Sequence, residues 1–108
     1  MQIASGGARG GETMNDYDRF SALVYLGNSG DYSKYTKDAL RRGEFGSARQ
    51  YWRLMVYFVN KAAKGIALLT RREVATLANL GDETVDLCTM ITRAERDALD
   101  RRLGDDFR

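Results

Sequence analysis

Arg49, Arg53, Tyr57, Lys61 and Lys64 recur at intervals of three or four residues in the middle of the chain. On a helix that spacing sets them along one polar stripe. Arg71 and Arg72 follow closely, and the stretch from Phe45 to Arg72 holds six cations and no acid. Cations interleaved with rings suit an anion, above all a phosphate, and a tyrosine such as Tyr32, Tyr35, Tyr51 or Tyr57 can stack on a base. Arg49, Arg53, Tyr57, Lys61, Lys64, Arg71, Arg72, Tyr32 and Tyr35 are therefore the expected residues for binding a ligand or a partner. The plainer role for the same stripe is a solvated face, or a face paired with acidic helices nearer the C-terminus. From Glu73 to Arg108 nine acids meet five bases, while residues 1–44 balance at six and six, which returns the net charge of +2.

Absences exclude most enzymes. With no His and a single Cys, no imidazole triad, intrachain disulfide or zinc site of His and Cys ligands can form. Tyr57 and Lys61 have a Tyr-x-x-x-Lys spacing that resembles the short-chain dehydrogenases, yet the glycine-rich dinucleotide turn and parallel sheet are missing. Asp82, Glu83 and Asp86 lack the spacing of a calcium loop and suit a helix start. Cys88, beside Leu87 and Ile91, reads as a buried structural thiol. No catalytic residue, metal ligand or cofactor is expected. A lone thiol suits a reducing, cytoplasmic setting. No apolar run reaches the length of a membrane span, and no secretion signal is evident.

The elements that would position these residues are helical. At 108 residues the chain has room for one domain, and the lack of proline fits a chain that is mostly helix. Residues 1–13, rich in glycine, are expected to be disordered, leaving residues 14–108 as a single helical domain. Asn15 caps a first helix with Tyr17, Phe20, Leu23 and Val24 on one face, stopped by Leu26–Gly30. A second runs to Arg42 and ends at Gly43. Ser47-Ala48-Arg49-Gln50 has the form of a capping box and opens the longest helix, about 47–69, which is apolar on most sides and so central. Within it, Gly65 marks a close crossing. Two further capping boxes begin at Thr70 and Thr92, Asn79-Leu80-Gly81 reads as a turn before Asp82, and Gly104 closes the last helix. The expected fold is all-α, a compact bundle of about six helices around the central one.

Two partial resemblances follow. Thr70 to Leu77, the Asn79–Gly81 turn and the helix from Asp82 resemble the helix-turn-helix motif of small repressors, which implies DNA binding. Against this, Asp82, Glu83 and Asp86 would open the recognition helix and repel phosphates, and a net charge of +2 is low for a duplex binder. Gly43-Glu44-Phe45, Ala48, Tyr51-Trp52 and Met55 resemble the turn and second helix of a tetratricopeptide repeat, which implies a helical hairpin; no second copy stands thirty-four residues away.

Trp52, Met55, Phe58 and Val59 exceed what a thin core requires and are expected at an oligomer interface, where aromatic residues and Met are enriched. The leading expectation is a small non-enzymatic protein that binds another protein, a regulator or inhibitor of phage or plasmid type, and self-associates. Its first alternative is capture of an anionic nucleotide at the basic and aromatic stripe; its second is a helix-turn-helix DNA-binding regulator.

Overall fold

The computed structural model describes residues 18–106. The leader expected to be disordered, with Asn15 and Tyr17, lies outside them. Three α-helices follow one another: α1 (Arg19–Arg41), α2 (Phe45–Lys64) and α3 (Arg71–Asp106), with a short 3-10 turn, Ile66–Leu68, between the last two. No strand occurs among the described residues, and the chain is all-α. Arg19 pairs with Glu73 and Lys37 with Glu83, so α1 and α3 run parallel. The α2 helix runs against both, because Ala48 packs with Ile91 while Ala62 packs with Leu77. Arg49, one turn into α2, already meets Glu95, so the later turns of α3 continue past the hairpin loop.

Three helices stand where six were expected. Leu26–Gly30 lies inside α1, and both Asn79–Gly81 and Thr92 lie inside α3. A glycine in a helix interior costs only about 1 kcal/mol relative to Ala. That is too little to end a helix whose buried face continues. Ala22, Leu26, Ser29, Ser33, Thr36 and Ala39 stay buried straight through Gly27 and Gly30, and Leu77, Leu87 and Ile91 do the same through Gly81. The buried face of α1 also differs from the expected one, since Phe20 is 75% exposed and a row of small residues faces inward. The longest helix is α3, with 36 residues, not the 47–69 segment. The α2 helix starts at Phe45 after Glu44, so Ser47 falls in its first turn, and it ends at Lys64. Gly104 also lies within α3.

Local punctuation held where its partners are close in sequence. Gly43 takes φ 74°, and the amides of Gly43 and Glu44 donate to the carbonyls of Leu40 (3.1 Å) and Ala39 (2.9 Å), the paired bonds that close a helix on glycine. Thr70 and Glu73 form the reciprocal capping box, at 2.8 Å and 3.2 Å. Asp18 caps α1 by accepting from the Ser21 amide at 2.8 Å. Gly65 does mark a close crossing: a Cβ there would sit 3.1 Å from that of Ala22.

The core is thin and built from small residues. Ala22, Ala39, Ala48 and Ala62 let the helices approach closely, and Met55 and Ile91 are the largest fully buried side chains. Buried hydroxyls separate two apolar clusters and are each satisfied: Ser29 donates to the Leu26 carbonyl (2.6 Å), Thr36 to that of Tyr32 (2.7 Å) and Ser33 to the Glu83 carboxylate (2.5 Å). At Gly30 and Gly81 an added methyl meets nothing within 4 Å. Gly30→Ala and Gly81→Ala are each expected to stabilise the fold by about 0.5–1 kcal/mol. Thermal melting checks this, and a lower Tm for either variant would place a turn at that position.

Candidate functional site

The basic stripe of α2 divides when the chain folds. Arg49 turns toward α3, where its guanidinium donates to Glu95 (2.7 Å) and to the Thr92 hydroxyl (3.2 Å), stands 3.9 Å from the Cys88 sulfur and lies 5.4 Å from the centre of the Trp52 ring. The Trp52 indole donates to the Thr84 carbonyl at 2.7 Å. Arg49 and Trp52 therefore join α2 to α3. The second capping box, Thr92 with Glu95, serves as the receptor for Arg49 instead of opening a helix. Arg53 and Lys64 stay exposed on the outer side of α2 with Tyr57 between them, and Lys61 extends its ammonium over the rings of Tyr25 (5.7 Å) and Tyr57 (5.9 Å). Arg71 and Arg72 are exposed in the first turn of α3.

The aromatic residues are brought together. Tyr25 and Tyr32 are seven residues apart on α1, as are Tyr51 and Phe58 on α2, so each pair falls on one helix face. Antiparallel packing then interleaves them. Phe58 lies near-parallel to Tyr32 (5.7 Å between centres, 14°) and to Tyr25 (6.3 Å, 26°). Tyr51 meets Tyr32 (6.2 Å) and Tyr35 (5.7 Å), Tyr32 meets Tyr35 edge-on (5.4 Å), and Tyr57 abuts Phe58 (5.1 Å). Six rings thus form a continuous ladder across the α1–α2 hairpin, and none of these contacts involves α3. Tyr35 is 46% exposed, Tyr57 51% and the neighbouring Leu54 40%. Tyr25 was missed as a site residue, although its seven-residue spacing to Tyr32 was the available signal.

Other expected site residues lie elsewhere. Met55 is fully buried inside the chain, and Trp52 and Val59 are half-buried against the two apolar clusters. Residues from α3 occupy the side of α2 where a second copy was expected. Of the four, Phe58 is a rung of the ladder. Cys88 is half-buried, with Arg49 as its cationic neighbour. Asn79–Gly81 lies within continuous helix, so the turn that a helix-turn-helix needs does not form there. Gly43–Phe45 does join two antiparallel helices, the hairpin geometry that the repeat-like residues implied.

Arg19, not among the expected site residues, clasps Glu73 with two bonds (2.9 and 3.0 Å) and donates to the Leu68 carbonyl (2.9 Å). The Arg19 guanidinium, aided by the Thr70 amide, holds the Glu73 carboxyl down at about 2. A depressed carboxylate contributes stability above its unfolded value, and that contribution is lost as pH falls toward 2.

Among the described residues no cluster of three or more His, Cys, Asp or Glu is placed to hold a metal ion, and no helix is long and apolar enough to cross a membrane. Compared with known proteins, the chain matches no family model, no curated protein and no solved structure.

Proposed function

We propose that this chain is a small non-enzymatic helical module that binds another protein, as a regulator or inhibitor, through the aromatic ladder of the α1–α2 hairpin. The carrying observation is the ladder itself: six rings in mutual contact on a face that α3 leaves open, edged by Leu54, Arg53 and Lys64. Rings that brace one another lose little further freedom on binding, and tyrosine and arginine supply much of the energy at protein interfaces. The bordering cations favour a partner surface that carries carboxylates. A reducing, cytoplasmic setting suits its free thiol.

Capture of a nucleotide draws less from this arrangement. Arg49 is engaged by Glu95, and the near-parallel contacts of Phe58 with Tyr25 and Tyr32 leave less open ring face for a base than free-standing tyrosines would.

The double variant Tyr35→Ala with Leu54→Ser removes two exposed side chains of this face. Its Tm should fall, because Tyr35 gives up ring contacts with Tyr32 and Tyr51 that contribute about 0.5–1.5 kcal/mol each, while an unchanged helical circular dichroism spectrum shows that the chain is still folded. Used as bait among the proteins of the source cell, the wild-type chain should retain a discrete partner that the variant binds at least about tenfold more weakly. Equal retention by both chains would defeat the proposal. So would the absence of any retained protein alongside a nucleotide that raises Tm by several degrees.

A further inference from the structure

Among the outward charges that form no ion pair with the described residues are Arg53 and Lys64 on α2 and Asp86 and Asp97 on α3. All four are exposed. Their spacing matches, since each pair is separated by eleven residues, about 16 Å along a helix. Each also encloses a large exposed side chain four residues in, Tyr57 on α2 and Met90 on α3, both 51% exposed. The two lines therefore read cation–ring–cation and acid–thioether–acid with the same intervals of four and seven. In that register Asn60 falls opposite Arg93, so no like charges meet.

One molecule cannot satisfy both lines from within. The α2 line points away from the bundle, whereas Met90 borders the opposite seam, a cavity of about 420 Å³ between α1 and α3 lined by Leu40, Leu87, Lys37 and Arg41. Lys37 and Arg41 are paired with Glu83 and Asp38, so the apolar floor of Leu40, Leu87 and Met90 is what this seam offers to a visitor.

We infer that the partner of this seam is a second copy of the chain. The outer line of α2 from one copy lies parallel to α3 of the next, with Arg53 facing Asp86, Lys64 facing Asp97 and the Tyr57 ring seated against Met90. The inference rests on the reading of this chain as a protein-binding module and adds a partner for the edge of that face. Because the contact joins two different surfaces, a dimer keeps one of each open, and association continues past it unless the rotation closes a ring.

Sedimentation velocity of the full chain at increasing concentration tests this. In dilute salt the weight-average mass should rise past that of a dimer, and it should return toward the monomer at roughly 0.5 M salt, where exposed charges are screened. Arg53→Glu with Lys64→Glu should be monomeric, as should Asp86→Lys with Asp97→Lys. An equimolar mixture of the two variants restores opposite charges at every contact and should associate again. Unfolded chains could not produce that rescue, and thermal melts of each variant confirm that it is folded. A wild type that stays monomeric in dilute salt overturns the inference, as does a variant that associates alone or a folded mixture that stays monomeric. The Tyr35→Ala, Leu54→Ser chain keeps both charge lines and should still self-associate. A monomeric wild type that retains its ladder-dependent partner therefore defeats this inference alone, and a self-associating chain whose ladder variant binds as wild type defeats only the proposed function.

Discussion

Ile91→Ala is expected to destabilise the fold by about 2–5 kcal/mol, the range for deleting a fully buried aliphatic side chain. Ile91 has no exposed surface and packs with Ala39 and Ala48, so it fastens α3 to the loop end of the hairpin. Its buried neighbours Ala39 and Ala48 have no side chain able to swing into the cavity, while Leu40, Tyr51 and Trp52 at the edge of the cluster can relax only in part, which keeps the cost within that range. Small domains have total stabilities of about 5–15 kcal/mol, so the loss is a large share of the whole. At roughly 4–8 °C per kcal/mol for a chain of this length, Tm should fall by more than about 10 °C. Leu99→Ala, at a half-exposed position farther along α3, is the control and should change stability by no more than about 0.5 kcal/mol. Urea unfolding of both variants reads the difference. Equal midpoints would show that α3 is not seated on the hairpin through Ile91.

Gly81→Pro carries the second large effect, and it separates a turn from a helix. Gly81 lies eleven residues into α3 counting from Arg71, between Leu77 and Leu87, which belong to different ends of the packed face. In an unbroken helix, proline there removes the bond from the residue 81 amide to the Leu77 carbonyl, and its ring crowds that same carbonyl. The cost is about 3 kcal/mol or more. The resulting kink would also pull Glu83 from Ser33 and Lys37, or else Glu73 from Arg19, since one continuous helix carries both contacts. Helical circular dichroism and Tm should both drop sharply, whereas Gly81→Ala should raise Tm. Proline tolerated within about 1 kcal/mol would reinstate a turn at Asn79–Gly81.

The binding surface was legible only in pieces. Tyr32, Tyr35, Tyr57 and Phe58 could be singled out because rings and cations recur along α2 and its neighbour, but the contacts that join the two helices link residues 16 to 33 positions apart. Arg49 shows the limit of a spacing argument. It shares the three-to-four periodicity of Arg53 and Lys64, yet it lies close enough to α3 for Glu95 to capture it. Periodicity places a residue on a helix face; it does not say which neighbouring helix that face will meet. The Arg19–Glu73 clasp spans 54 positions and left no local trace at all.

What the sequence determined by itself is whatever a few consecutive residues decide. Freedom from proline made a helical chain, and the exclusion of His and Cys chemistry needed only a count. Gly43 closed α1 and Thr70 with Glu73 opened α3, because each of those hydrogen bonds joins backbone or side-chain groups within five residues. Tertiary structure decided the rest: that Gly27, Gly30 and Gly81 would not interrupt their helices, that small residues would form the core while Phe20 faced outward, and that α3 would cover Trp52 and Val59 but leave the tyrosine ladder open. The physical reason is one of magnitude. A glycine's preference against helix is about 1 kcal/mol. A continuous face of buried side chains contributes several times that, and the sum appears only once the three helices lie against one another.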